Sequence, residues 1–248
     1  MSPIKLSNIN YTYPSGIKAL NNVSLTINKG EKVVLMGANG SGKSSLFLLL
    51  AGVIKPESGS YQINGESFRY CRKWRNKLCQ EIGYVFQDPD VQVVSTHVDE
   101  DVAFGLRNMG LKEPMVQELV DEYLELTGIS HLKDKSVHSL SYGQKKQVAL
   151  AGVLAMEPQI VMLDEPFAWL DYQQSQRLKA ILEQLVDRGK TLIISTHNSD
   201  FVSEWADKAL VMKGGTLTAD TSTNALFTND CLIEELGIAP AQRHMIGC

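Results

Sequence analysis

Cysteine is scarce in this sequence. Four occur among 248 residues, Cys71, Cys79, Cys231 and Cys248, and no two form a Cys-x-x-Cys pair. That spacing is unlike a zinc site, and the reading is reduced cytosolic thiols. Long apolar runs are missing too. The longest, Leu46 to Ile54 and Val148 to Met156, fall well short of the ~20 residues a membrane-spanning helix needs. The first residues, Met1 to Asn8, lack a charged segment followed by an apolar run, so no signal peptide is expected. Positive charge is also in deficit: 24 Lys and Arg against 28 Asp and Glu leave a net charge of −4. Without a broad positive field, nucleic acid is a poor partner. The five histidines, His97, His131, His138, His197 and His244, are scattered and suggest no transition-metal site. What remains is ordinary for a globular chain, with 44% hydrophobic and 21% charged residues, which excludes disordered and fibrous classes.

The length fits one compact domain carrying a sizeable insertion. Alternating or continuous apolar runs at Ile4 to Leu6, Val23 to Ile27 and Val33 to Met36 read as strands. From Lys43 the positions Leu46, Leu49, Leu50 and Val53 follow helical spacing, and the pattern stops at Pro56. A short strand at Tyr61 to Ile63 runs into the turn pair Asn64-Gly65, and Ile82 to Phe86 is another strand. Between Gln87 and Glu157 the pattern becomes helical, over about Val98 to Asn108, Pro114 to Leu126 and Gly143 to Met156. Strands return at Ile160 to Leu163, Leu192 to Ser195 and Leu210 to Met212, with an amphipathic helix over Gln173 to Val186. Beyond Thr216 the pattern is weak. The expectation is an α/β fold with an N-terminal antiparallel β segment, a core of 1–88 and 157–220, an inserted helical lobe of 89–156 and a short tail of 221–248.

Gly37-Ala38-Asn39-Gly40-Ser41-Gly42-Lys43-Ser44 fits the phosphate-loop pattern G-x-x-x-x-G-K-[ST], lying after a buried strand and before a helix. Glycines let backbone N–H groups turn inward on phosphate oxygens while the helix directs its positive end at the same anion. Lys43 then reaches the outer phosphates of a nucleotide, Ser44 ligates Mg²⁺, and Ser45 follows in the same turn. This defines a P-loop NTPase core of the RecA-like kind, with ATP and Mg²⁺ as its expected ligands. The apolar run Ile160 to Leu163 ends in two carboxylates, Asp164 and Glu165. Asp164 is the metal-side candidate, and Glu165 is placed to polarise an attacking water as general base.

Leu140-Ser141-Tyr142-Gly143-Gln144 precedes a helix and offers a second anion site, a helix N-terminus with a serine hydroxyl beside it; taken alone it is an N-cap. The segment resembles the L-S-G-G-Q signature of ATP-binding-cassette ATPases, with Tyr142 in place of the first glycine. The resemblance runs from about residue 4 to residue 216, with the family's motifs in order. It implies that Tyr13 stacks on adenine, Tyr11 being the competing candidate, and that Gln87 is the glutamine that meets the metal and attacking water. It implies further that His197 is the switch histidine at the γ-phosphate, with Asp171 in the loop that crosses the dimer interface. Two ATP molecules would then be sandwiched head to tail between one phosphate loop and the partner's Ser141, Gly143 and Gln144 signature residues, and hydrolysis would reopen the dimer.

Phe86 to Gln92, Glu100 to Gly105 and Gln144 to Met156 look like the ATPase subunits of energy-coupling-factor transporters, particularly the cobalt/nickel type. The alternatives are a vitamin transporter of the same kind, a generic importer ATPase or, further off, a soluble non-transport cassette. The resemblance implies a second ATPase subunit, identical or paralogous, a transmembrane scaffold, a small membrane-embedded capture protein, and a peripheral position on the cytoplasmic membrane face. Phe167 and Trp169 depart from the small or polar residues usual beside Asp171. The chain also ends early beside relatives with an extended C-terminal dimerisation region, so the expectation is that ATP supplies much of the dimer's stability.

Overall fold

The computed structural model describes residues 3–230, 233, 234, 237 and 238. In chain order, the first elements are β1 (Ile4–Thr12), β2 (Lys18–Ile27), β3 (Lys32–Met36), α1 (Lys43–Leu50), β4 (Ser58–Ile63), β5 (Glu66–Ser67) and α2 (Arg72–Glu81). Next come β6 (Ile82–Val85), α3 (Val98–Asn108), α4 (Glu113–Thr127), α5 (Tyr142–Ala155), β7 (Ile160–Asp164) and α6 (Tyr172–Asp187). The last are β8 (Thr191–Ser195), α7 (Ser199–Trp205), β9 (Lys208–Lys213), β10 (Thr216–Ser222) and α8 (Thr223–Phe227). The chain divides into two compact units, Met1–Cys79 with Gly189–Cys248, and Gln80–Arg188.

The first unit holds an antiparallel sheet in the order β2-β1-β4-β5. Its β4–β5 hairpin turns on Asn64 and Gly65 at φ +51° and +82°, two left-handed residues of the kind a tight hairpin requires. The same unit carries strands in the order β10-β9-β3-β8, in which β3 pairs in parallel with both β8 and β9. Val33, Val34 and Leu35 are wholly buried, which is why this strand reads as a continuous apolar run rather than an alternating one.

In the second unit β6 and β7 pair in parallel, with Val85 opposite Leu163, and α5 packs against β6, α3 and α4. Helix α5 is buried on most sides, through Val148, Ala149, Leu150, Ala151, Val153 and Leu154. The expected 89–156 lobe lies inside this unit, to which the contacts of α5 with β6 and of α4 with α6 also tie the flanking elements.

Several expectations need correcting. Helix α1 ends at Leu50, before Pro56, because Gly52 at φ +70° closes it. The strand ending at Phe86 stops at Val85, where the Gln92 side chain takes over pairing by accepting from the Phe86 N–H and donating to the Tyr84 carbonyl. The region beyond Thr216 is not unstructured at its start: β10 pairs antiparallel with β9, and α8 follows within the supposed tail. Cys231, His244 and Cys248 lie outside the described residues.

Candidate functional site

The phosphate loop leaves the end of β3 and enters α1. Gly37 sits at φ +143°, Gly40 at +77° and Gly42 at +107°, so three glycines absorb the turning that side chains would resist. A β-carbon on Gly37 would lie 2.3 Å from the Met212 carbonyl oxygen and 2.7 Å from the Ser41 hydroxyl. One on Gly42 would lie 2.7 Å from the Ala19 carbonyl oxygen. The loop is therefore a cradle that any side chain would distort.

Lys43 opens α1 and is buried; its ammonium donates to the Gly37 carbonyl at 2.7 Å and the Ala38 carbonyl at 3.2 Å, which centres the charge inside the loop. The Ser41 hydroxyl is buried with no hydrogen-bond partner, an arrangement that costs free energy unless a ligand supplies one. First-turn N–H groups of α1 point the same way by helix geometry. An open pocket of about 780 Å³ is lined by Gly37 to Ser41 with His197, Met212 and Lys213. An orphaned hydroxyl, a central cation and a glycine-rich backbone fit the phosphates of a nucleotide.

Tyr13 follows β1, where its N–H and C=O close the turn to β2. Its hydroxyl lies 3.0 Å from the Ser45 Oγ, tying the ring to the first turn of α1, and Tyr11 meets it edge-on at 5.0 Å. Tyr11 has no such bond to α1 among those described. Ser45 thus belongs to the site through its backbone and Tyr13, its hydroxyl being turned to the tyrosine, while Ser44 is exposed. His197 is also exposed and is held from both sides: the Thr196 N–H donates to the Leu35 carbonyl, and Asn198 caps α7 by accepting from the Phe201 N–H.

In the second unit, β7 delivers Asp164 and Glu165. Asp164 is buried and accepts from the Tyr84 hydroxyl at 3.2 Å. Glu165 takes φ +45°, a left-handed conformation unusual for a residue with a side chain. Its carbonyl oxygen accepts from the Ala168 N–H at 3.2 Å and from the Lys146 ammonium at 2.6 Å. Burial pulls the Lys146 amine down to about 8, against the opposing pull of the Glu165 and Asp164 charges. Asp164, Ser44 and Gln87 each offer a side-chain oxygen, the donor type that suits Mg²⁺.

Ser141 is the N-cap of α5 in a full capping box: its hydroxyl accepts from the Gln144 N–H, and the Gln144 side chain accepts from the Ser141 N–H. The Ser141 hydroxyl only accepts in this box, so capping leaves its own O–H free to donate and is compatible with anion binding. Gly143 is buried, and a β-carbon there would lie 3.0 Å from the Gln174 Oε1 and 3.3 Å from the Trp169 carbonyl oxygen. Tyr142 spans the distance to the exposed Gln87, donating to its carbonyl at 3.2 Å, with Trp169 edge-on at 6.0 Å. Lys145 adds an ion pair to Asp90 at 2.6 Å. Asp171 caps α6 through its own box with Gln174.

The structure gathers Gly37 to Ser45, Tyr13 and His197 in the first unit, and Gln87, Ser141, Gly143, Gln144, Asp164 and Glu165 in the second. Tyr84 and Lys146 were missed. For Lys146 a signal existed: it falls on the same inward stripe of α5 as Gly143, Leu150 and Val153, where a lysine is out of place.

The ABC transporter family model matches residues 20–168. The energy-coupling factor transporter ATP-binding protein EcfA3 of Clostridium perfringens (strain ATCC 13124) is 42% identical over 236 residues, covering 95% of this chain and 83% of that protein. EcfA2 of Methanospirillum hungatei JF-1 is 41% identical over 230 residues, 93% of this chain but 58% of that longer protein. Among solved structures, cbiO1 of Clostridium perfringens, part of the ABC transporter complex cbiONQ, aligns with TM-score 0.80 at 42% identity over 95% of this chain and 94% of its own. A dimeric ATP-binding cassette in a post-hydrolysis state, bound to ADP and Pi, aligns with TM-score 0.82 at 26% identity over 89% of this chain and 98% of its own. The chain belongs to the ABC transporter family as one of its ATPase cassettes. Within the family it is similar to the ATP-binding proteins of energy-coupling-factor transporters. Among the described residues no helix is long and apolar enough to cross a membrane.

Proposed function

We propose that this chain hydrolyses ATP to drive an energy-coupling-factor importer that takes up a transition-metal ion, cobalt or nickel. The observation that carries the ATPase reading is the glycine-rich cradle with the buried, partnerless Ser41 hydroxyl and the Lys43 ammonium at its centre. In it, loop amides and Lys43 bind the phosphates of ATP and Tyr13 holds the base. Ser44, Asp164 and Gln87 are the residues that would hold Mg²⁺, which would supply positive charge against the charge developing on the phosphates. Glu165 takes the proton of the attacking water as its oxygen bonds to the γ-phosphorus and the bond to ADP breaks; His197 steadies the γ-phosphate.

Ser141, Gly143 and Gln144 serve the nucleotide of a second cassette, a copy or a paralogue, in a head-to-tail pair. A membrane scaffold and a small capture protein complete the assembly, with this chain peripheral on the cytoplasmic face and the 89–156 lobe as its inserted helical part. Likeness to EcfA3 and cbiO1 over nearly the whole chain supports the transporter branch. Affinity purification of the Glu165→Gln chain from native membranes with ATP, followed by mass spectrometry, tests it. Recovery of scaffold and capture proteins is expected, and a vitamin-type capture protein would replace the metal. Purely soluble partners would overturn the transport assignment.

A further inference from the structure

We propose that Lys146 is the positioning residue for the general base, fixing the backbone turn that aims Glu165; the inference rests on the role given to Glu165 above. Lys146 is 3% exposed, and its ammonium donates to two carbonyls of one turn, Glu165 at 2.6 Å and Ala168 at 3.3 Å. That turn carries a left-handed residue at each end, Glu165 at φ +45° and Trp169 at +67°, neither a glycine. Such conformations persist only where the surroundings enforce them. Here the turn's own bonds are long, Ala168 to Glu165 at 3.2 Å and Leu170 to Phe167 at 3.4 Å, and the Lys146 bond to Glu165 is shorter than either.

The dependence is mutual. A buried cation is costly unless its donors are satisfied, and the carbonyls that satisfy this one are lined up only while the turn keeps its shape. With its donors on main-chain oxygens, the amine acts through Glu165 rather than on substrate.

Lys146 also lies one helical turn from Gly143, on the helix whose first residues are the signature. Within one unit, the direction of Glu165 is therefore set by the position of α5. A displacement of the signature end, as when a partner's nucleotide docks there, reaches the base through this amine.

The test compares Lys146→Met, which keeps length and removes the donors, with Lys146→Arg, which restores donors, and with Glu165→Gln, all in the full-length chain. In Lys146→Met, kcat is expected to fall about tenfold or more, with KM and the dissociation constant of ATP changed about twofold at most. Lys146→Arg is expected to recover most of that kcat. Wild-type turnover by the methionine variant overturns the proposal. So does a loss of ATP binding in parallel with kcat, which marks a merely structural role. Should the methionine variant not fold, Lys146→Leu, which also lacks donors, is read by the same criteria. Normal turnover by Glu165→Gln would instead remove the base assignment itself, and the clamp with it, whatever Lys146→Met does.

Discussion

A methyl group at Gly37 would collide with the Met212 carbonyl oxygen 2.3 Å away, in a backbone conformation that side chains rarely adopt. Gly37→Ala is therefore expected to distort the loop and weaken ATP binding without touching a single charged group, as a fluorescent-nucleotide titration would show. Lys43→Ala acts differently. It removes a charge-assisted donor from the centre of the cradle, and ATP affinity should fall by about tenfold to a hundredfold, since bonds of this kind contribute about 1.5–3 kcal/mol. Lys146 adds a pH dependence. Its amine titrates at about 8 in the folded chain because burial disfavours the cation, and at about 10.4 when unfolded. Between those values the unfolded chain binds a proton that the native chain does not, so stability from this group rises with pH across the window and is lost as pH falls through about 8. Denaturation of wild type and Lys146→Met at pH 7 and pH 9.5 should show the difference shifting toward wild type at the higher pH. A constant difference would contradict it.

Helix α5 carries the signature at its first turn, where the capping box satisfies groups that would otherwise be orphaned. Ser141→Ala should cost about 1 kcal/mol of stability, read from a denaturant titration, and in the proposed head-to-tail pair should also weaken turnover. The same helix shows how far the elements were legible in sequence. The expected 98–108 helix coincides with α3, whose apolar spacing is clear, and α4 is bounded by Pro114 at its start and Gly128 at φ +79° at its end. Helix α2 escaped because Arg72, Lys73, Arg75 and Lys77 mask its period; only Leu78 is fully buried, with Trp74 half-buried. Strand β10 escaped because it alternates threonines with partly exposed neighbours at an edge, and its pairing comes from β9 rather than from its own composition. The phosphate loop, by contrast, was legible in full, since its chemistry dictates glycine and lysine at fixed spacing. Tyr84 was not, because it reads as core, and Lys146 showed only as a lysine on the inward stripe of α5, its partners becoming visible with the backbone turn beside Asp164.

Across the whole molecule, one chain carries two helix N-termini that the proposed function assigns to phosphate, α1 with its glycine-rich loop and α5 with its capped serine, lying in different compact units. The proposed head-to-tail pair of cassettes would use both. Association is accordingly expected to tighten with ATP and loosen after hydrolysis, and sedimentation with and without nucleotide would check this; a tight pair without nucleotide would contradict it. The central claim is that ATP bound in the Lys43 cradle is cleaved with Glu165 as the base. It is tested most directly by isolating the Glu165→Gln chain with its associated subunits after incubation with Mg²⁺ and ATP, and measuring the bound nucleotide. The account predicts retained, uncleaved ATP. Bound ADP with turnover at the wild-type rate would contradict it.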